Sequence, residues 1–270
     1  RVLDIELNAL TDNPIVFPDA KAEFVEQQVI SAGHFHGMPL ALAMSYVKAA
    51  IPTLASISER RLNKLVDPAT NDGLPAFLIG NEDGTESGHM IVQYTAAAIV
   101  NDLASRAHPA SVYSIPTSAN AEDHVSMGAN EARHVLAMAD DLGKVLGLEL
   151  YTAAQALDLR RDMINAARAL ARQRPVDELA GKVAGAPAAG ADRSTFEAEV
   201  ESLRRQLADT GEFGPGHAVR AAHDAIRESI AFMGFDRAMD GDVQAAVRLV
   251  KDGRVLAAAR DAVLRRGEIA

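Results

Sequence analysis

The chain has 270 residues, of which 48% are hydrophobic and 4% aromatic, and it contains no tryptophan and no cysteine. A formal net charge of −10 argues against nucleic-acid binding, which needs a basic face, and the lack of cysteine excludes disulfides and zinc–thiolate sites. No uninterrupted apolar run approaches the roughly 18 residues of a membrane span, so we predict a soluble cytoplasmic protein without a membrane or nucleic-acid partner.

The first part of the chain predicts one long helix after a short entry segment. Residues 1–13 predict a short helix or extended segment that ends at a turn signal, Asp12-Asn13-Pro14. A β-ribbon is predicted around residues 24–25 and 29–30. Apolar residues then recur every three to four positions over residues 38–66, which is typical of an amphipathic helix.

Two further helical patterns follow. One covers about residues 87–105. The other starts near Asn120 and keeps helical spacing to about residue 172, which predicts one long helix or two collinear helices that meet near Gly143 or Gly147.

The predicted fold class is all-α, with long antiparallel helices forming a bundle and a smaller C-terminal helical region. The low aromatic content and the frequent alanine and leucine favour packed helices over a sheet sandwich. We expect a bundle with active-site loops at 1–173, an Ala/Gly/Pro-rich linker at 174–194 and the smaller region at 195–270. Short helices are predicted in that region at residues 196–207, 217–232 and 242–264.

A polar loop at residues 114–119 leads into the longest helical pattern. It contains Pro116, which lacks a backbone donor, and side chains that can cap a helix, so the helix is predicted to start near Asn120. Glu122 would then lie in the first turn, followed directly by an aspartate and a histidine, where free backbone N–H groups favour negative charge. This predicts a site for a polar or cationic ligand, unless Glu122 only completes a helix cap.

A second candidate segment has histidines on both sides of Phe35. Gly33 and Gly37 bracket this segment and allow a tight backbone that directs side chains into a cavity. Two histidines one residue apart suggest a metal pair, but no carboxylate or third histidine lies at ligand spacing, so no metal site is predicted.

Several segments, in the same order, resemble the aromatic amino-acid ammonia-lyases, and the histidine ammonia-lyases most closely. The most specific is Ser-Ile-Pro-Thr-Ser-Ala-Asn-Ala-Glu-Asp-His-Val-Ser-Met at residues 114–127. The other matching segments are residues 6–14, 33–37, 56–61, 65–68, 73–78, 87–90, 93–97, 108–112, 236–237, 242–246 and 249–250. The resemblance spans nearly the whole chain and weakens between about residues 174 and 234.

The resemblance implies removal of ammonia from an aromatic amino acid by a methylidene-imidazolone (MIO) electrophile, which the family forms from an internal Ala-Ser-Gly. This sequence contains no Ala-Ser-Gly. In the family, that triplet lies upstream of the position where this chain begins. The chain therefore resembles a C-terminal half, without cofactor-binding residues, completed by an N-terminal lyase half on the same or a separate chain in a homotetramer-like oligomer.

The resemblance also assigns roles to residues. Glu122 stands where histidine ammonia-lyases carry a glutamate that pairs with an imidazole N–H, so it is the predicted catalytic and substrate-binding residue. Phe35 matches a phenylalanine that lies against the substrate ring. His34, Asn120 and His89 are the other predicted substrate-binding residues.

Four positions depart from the family pattern. His34 replaces an asparagine, Met38 a glutamate, Ala121 a glutamine and His89 a phenylalanine. L-histidine, converted to urocanate in histidine catabolism, is the first predicted substrate. Because of these departures, the substrate could be another aromatic amino acid, or the reaction could be that of an aminomutase. The missing upstream half leaves open a non-catalytic structural or regulatory subunit of a hetero-oligomeric lyase.

Overall fold

The computed structural model describes residues 1–19, 21–79, 85–173, 202 and 213–265. Over these residues the fold is all-α with one short β-ribbon, which confirms the predicted fold class. The predicted linker at 174–194 and nearly all of the predicted helix at 196–207 lie outside the described residues.

The described residues form seven α-helices. In chain order they are α1 (Val2–Leu7), α2 (Met38–Val66), α3 (Met90–Arg106), α4 (Gly128–Gln173), α5 (His217–Arg227), α6 (Asp240–Lys251) and α7 (Arg254–Leu264). Helix α2 continues through Pro52, and α4 is a single helix of 46 residues that runs through both Gly143 and Gly147. Gly253 has a left-handed φ of 70° and separates α6 from α7, so the helix predicted at 242–264 is two helices.

The β-ribbon has a different first strand from the predicted one. Strand β1 (Ile15–Val16) pairs antiparallel with β2 (Val29–Ile30), with Ile15 opposite Ile30. Residues Val25–Gln28 form a 3-10 turn, whose local hydrogen bonds are incompatible with an extended strand there. The prediction is therefore right for β2 and wrong for its partner.

The predicted helix start near Asn120 is wrong. Helix α4 begins at Gly128. Residues 118, 119 and 120 have φ of 51°, 53° and 70°, and such left-handed residues cannot continue into a right-handed helix. Thr117 and Glu122 pair as an isolated antiparallel bridge. Glu122 therefore lies in a closed loop and caps no helix.

The chain divides into two compact units, Arg1–Arg60 with Tyr94–Leu146, and Arg61–Gln93 with Gly147–Ala270. The core of the first unit is built from α2, α3 and the first part of α4. Its residues are Ile51, Ala55, Ile99, Val100, Leu103, Val135, Met138, Leu142 and Val145. The buried side chains of the second unit include Leu78, Leu148, Tyr151, Ile230, Met233 and Leu249.

Residues 33–66 are long and apolar enough, by length and composition alone, to cross a membrane. The core helix of a water-soluble protein passes the same test. Here Ile51, Ala55 and Leu62 of α2 are buried in the protein, and so is Lys48. Of the most apolar 18-residue window in this stretch, 28% is buried inside the protein.

Candidate active site

Glu122 lies at the end of a loop that Thr117 closes. The Thr117 N–H donates to the Glu122 carbonyl at 2.9 Å, and the Glu122 N–H donates to the Thr117 carbonyl at 3.3 Å. The Thr117 hydroxyl also donates to Oε2 of Glu122 at 2.6 Å. Within the loop, the Asn120 N–H donates to the Thr117 carbonyl at 3.0 Å. The exposed carboxylate is thus held by its neighbours in a defined position.

The residues that follow this loop contact the predicted histidine-containing segment through His36. The Met38 N–H donates to Nδ1 of His36 at 3.3 Å, so the ring proton is on Nε2, which donates to the His124 carbonyl at 3.1 Å. The two imidazole rings stack with 5.6 Å between centroids and 9° between planes. A Cβ on Gly37 would lie 3.0 Å from Oγ of Ser126, so glycine permits this close approach.

His34 and Phe35 lie in the 3-10 turn Gly33–Phe35, directly before His36. Phe35 is 48% exposed, which leaves much of its ring accessible. Nε2 of His34 is buried and has no hydrogen-bond partner among the described residues. The structure therefore brings the segment that contains His34 and Phe35 against His124 and Ser126, which follow Glu122 in the chain.

A buried ion pair fixes the start of the same loop. Lys48 of α2 lies 3.2 Å from Oε2 of Glu131, in the first turn of α4, and both residues are buried. Nζ of Lys48 also donates to the His108 carbonyl at 2.7 Å and to Nδ1 of His134 at 2.8 Å. Oε1 of Glu131 accepts from the Ser111 N–H at 3.0 Å. The pair joins α2, α4 and the chain that enters the loop.

The charge of Glu131 is stabilised where it is buried. Burial alone would raise the pKa of its carboxyl, but the Ser111 N–H and the Lys48 ammonium outweigh burial and hold the pKa below its usual value. Our sequence predictions did not include this pair. The signal in the sequence was Lys48 itself, a charge within the otherwise uncharged stretch 38–58.

His89 belongs to the second unit and is fully buried. Its Nδ1 lies 3.2 Å from the Thr152 hydroxyl, and its ring centroid is 4.5 Å from that of Tyr151. Burial, with the positive charges of Arg227 and Arg237, lowers the pKa of His89 to about 4. Its role in substrate binding stays a prediction.

The described residues contain no group of three or more histidine, aspartate or glutamate side chains that could hold a metal ion. The 270 residues contain no Ala-Ser-Gly. The predicted site residues include an exposed carboxylate, a phenyl ring that is 48% exposed, and a buried imidazole nitrogen that has no hydrogen-bond partner among the described residues.

The sequence model of the aromatic amino acid lyase family matches residues 1–176. The chain is 38% identical over 255 residues to a histidine ammonia-lyase of Natranaerobius thermophilus, covering 94% of this chain and 39% of the relative. It is 53% identical over 160 residues to a histidine ammonia-lyase of Treponema denticola, covering 59% of this chain and 30% of the relative.

Solved structures show the same similarity. The histidine ammonia-lyase from Trypanosoma cruzi superposes with a TM-score of 0.71 at 29% identity, over 97% of this chain and 40% of that one. The tyrosine aminomutase from Streptomyces globisporus superposes with a TM-score of 0.65 at 26% identity, over 93% of this chain and 38% of that one. The chain thus spans between 30% and 40% of the length of these relatives.

Proposed function

Because the chain belongs to the aromatic amino acid lyase family, we propose that it forms the C-terminal part of an ammonia-lyase that converts L-histidine to urocanate. The curated relatives named above are histidine ammonia-lyases, at 38% and 53% identity. Their names support histidine over other aromatic amino acids as the substrate.

The observation that carries the proposal is the carboxylate of Glu122, which Thr117 holds in position. Two residues further along the chain, His124 contacts His36, the residue that follows Phe35. A carboxylate accepts a hydrogen bond from an imidazole N–H, and an aromatic side chain packs against a flat ring. The elimination breaks a C–H bond next to the ring and expels ammonia, so the ring must be held in one orientation. We assign Glu122 and Phe35 to that task, with His34 and Asn120 as further substrate contacts.

The electrophile comes from outside these 270 residues in our proposal, either from an upstream segment of the same polypeptide or from a partner chain. When bound, MIO supplies the electrophilic carbon that activates the substrate. The residues of this chain bind and orient the amino acid, and the complete enzyme is a cytoplasmic, tetramer-like oligomer.

A second candidate reaction is an aminomutase, in which the amino group returns to the neighbouring carbon. The similarity to tyrosine aminomutase at 26% identity favours considering it, and so do His34 and Ala121, which depart from the lyase pattern. The products distinguish the two reactions, because an aminomutase yields a β-amino acid whereas a lyase releases ammonia.

The proposal is tested by Glu122→Gln in the complete lyase. A hydrogen bond to a charged group contributes about 1.5–3 kcal/mol, so kcat/KM for L-histidine should fall roughly 10- to 100-fold. Imidazolepropionate and phenylpropionate, substrate analogues that differ only in the ring, would be tested as competitive inhibitors to separate ring recognition from other effects. Inhibition by imidazolepropionate should weaken by a similar factor, and inhibition by phenylpropionate should not.

Asp123→Asn is the matched control, because Asp123 is the next exposed carboxylate and makes no hydrogen bond with the described residues. It should leave histidine turnover within about twofold of wild type. If Glu122→Gln weakens the binding of both inhibitors equally, or changes kcat/KM no more than the control does, then Glu122 does not bind the imidazole.

A further inference from the structure

Thr117 and Glu122 are joined through both backbone and side chains. Their two backbone hydrogen bonds, at 2.9 and 3.3 Å, fix the positions of the two Cα atoms. The Thr117 hydroxyl then lies 2.6 Å from Oε2 of Glu122. An ionised carboxylate only accepts hydrogen bonds, so the hydroxyl is the donor, and the short distance is typical of a bond to a charged oxygen.

Threonine is well suited to hold this bond. Its β-branched side chain has restricted χ1, and its backbone is extended, with φ −127° and ψ 179°. Glutamate by itself is flexible, with three rotatable side-chain bonds. The Thr117 hydroxyl therefore selects one arrangement of the Glu122 carboxylate before any substrate arrives, which lowers the entropy lost on binding.

The two oxygens of Glu122 are not equivalent. Oε2 is occupied by Thr117, whereas Oε1 accepts no hydrogen bond from the part of the chain that the structure describes. One oxygen is thus directed and available for a single N–H donor, which an imidazole ring offers and a phenyl ring lacks.

We propose that Thr117 is a positioning residue that directs Oε1 of Glu122 towards the ring N–H of the substrate and thereby sets the preference for imidazole-bearing amino acids. The inference rests on the proposed function and deepens it. Thr117 acts through Glu122 and does not itself contact the substrate.

The test compares Thr117→Val with Thr117→Ser in the complete lyase. Valine keeps the shape and removes the hydroxyl, whereas serine keeps the hydroxyl. Thr117→Val should raise KM for L-histidine about 3- to 10-fold with little change in kcat, because the bond orients a group used equally in substrate and transition state. Inhibition by imidazolepropionate should weaken by the same factor and that by phenylpropionate should not change. Thr117→Ser should restore wild-type values to within about twofold.

Ser118→Ala serves as the control, because Ser118 is the adjacent exposed hydroxyl and its side chain makes no hydrogen bond with the described residues. It should match wild type. In a Glu122→Gln background, Thr117→Val should add less than about a twofold effect, because the two residues act as one unit.

The inference is overturned if Thr117→Val weakens the binding of both inhibitors equally, or if it changes neither KM nor inhibitor binding. It is also overturned if the fold-changes caused by Thr117→Val and Glu122→Gln multiply fully in the double variant. If instead the proposed function is wrong, Glu122→Gln will itself leave the binding of imidazolepropionate unchanged. If Glu122→Gln weakens imidazole binding and Thr117→Val does not, then only the proposed role of Thr117 is contradicted.

Discussion

The protonation of His89 follows from its surroundings. An unperturbed histidine has a pKa of about 6.5. In the folded protein, burial and two nearby arginines lower the pKa of His89 to about 4, although Asp242 acts in the opposite direction. Its Nε2 is buried without a hydrogen-bond partner among the described residues, so a proton there would lack an acceptor. The folded protein therefore keeps this ring neutral.

Stability should fall when the protein is acidified through this range. Above about pH 6.5, His89 is neutral in both the folded and the unfolded states and has no effect on the free energy of unfolding. Between about pH 6.5 and 4, the unfolded state binds the proton more readily, so stability is lost as pH falls. The total loss is about 3 kcal/mol, at 1.4 kcal/mol per pKa unit, and it is complete below pH 4.

The measurement is urea unfolding at several pH values between 7.5 and 4.5. His89→Phe keeps a ring against Tyr151 and removes the titrating group, so its stability should depend less on pH than that of wild type. The control is His217→Phe, at an exposed histidine. Equal slopes for all three proteins would show that burial does not perturb His89.

At the scale of elements, the helices could be predicted from sequence and the Glu122 loop could not. Helices α2 and α4 depend on a local period of apolar residues that extends over many turns. The loop depends on left-handed residues at 118–120, none of which is glycine, and on a hydrogen bond from His36, far away in sequence. Such contacts leave no periodic pattern, so the segment resembled the start of a helix.

Gly147 is predicted to be a packing requirement of α4. A Cβ there would lie 3.0 Å from the Val247 nitrogen and 3.1 Å from the Ala246 carbonyl carbon, both backbone atoms of α6. Gly147→Ala should therefore push α6 away and lower the free energy of unfolding by about 1–3 kcal/mol.

Gly143 lies four residues earlier in the same helix and provides the matched control. A Cβ at this position would meet nothing within 4 Å. Gly143→Ala should raise the free energy of unfolding by about 0.5–1 kcal/mol, because alanine restricts the unfolded chain and favours helix. Chemical denaturation measures both variants, and a tolerated Gly147→Ala would contradict the close approach.

At the scale of the whole molecule, the family and part of the candidate site could be predicted from the sequence. The order of short segments, including residues 114–127, identified the lyase resemblance that the family match confirms. Spacing did not predict that Lys48 and Glu131 form a buried pair, because the two residues are distant in sequence and each is common on helix surfaces. Only packing of α2 against α4 brings them together.

The proposed function requires an electrophile, and these 270 residues contain no Ala-Ser-Gly, so the composition of the native complex is decisive. The complex should be purified from its source, its intact mass and subunit content determined, and the same sample assayed with L-histidine by the ultraviolet absorbance of urocanate. We predict a tetramer-like complex in which this chain is joined to an Ala-Ser-Gly-containing segment, within one polypeptide or two, and which forms urocanate. A complex without that segment that leaves histidine, tyrosine and phenylalanine unchanged would contradict the lyase function and identify a structural subunit.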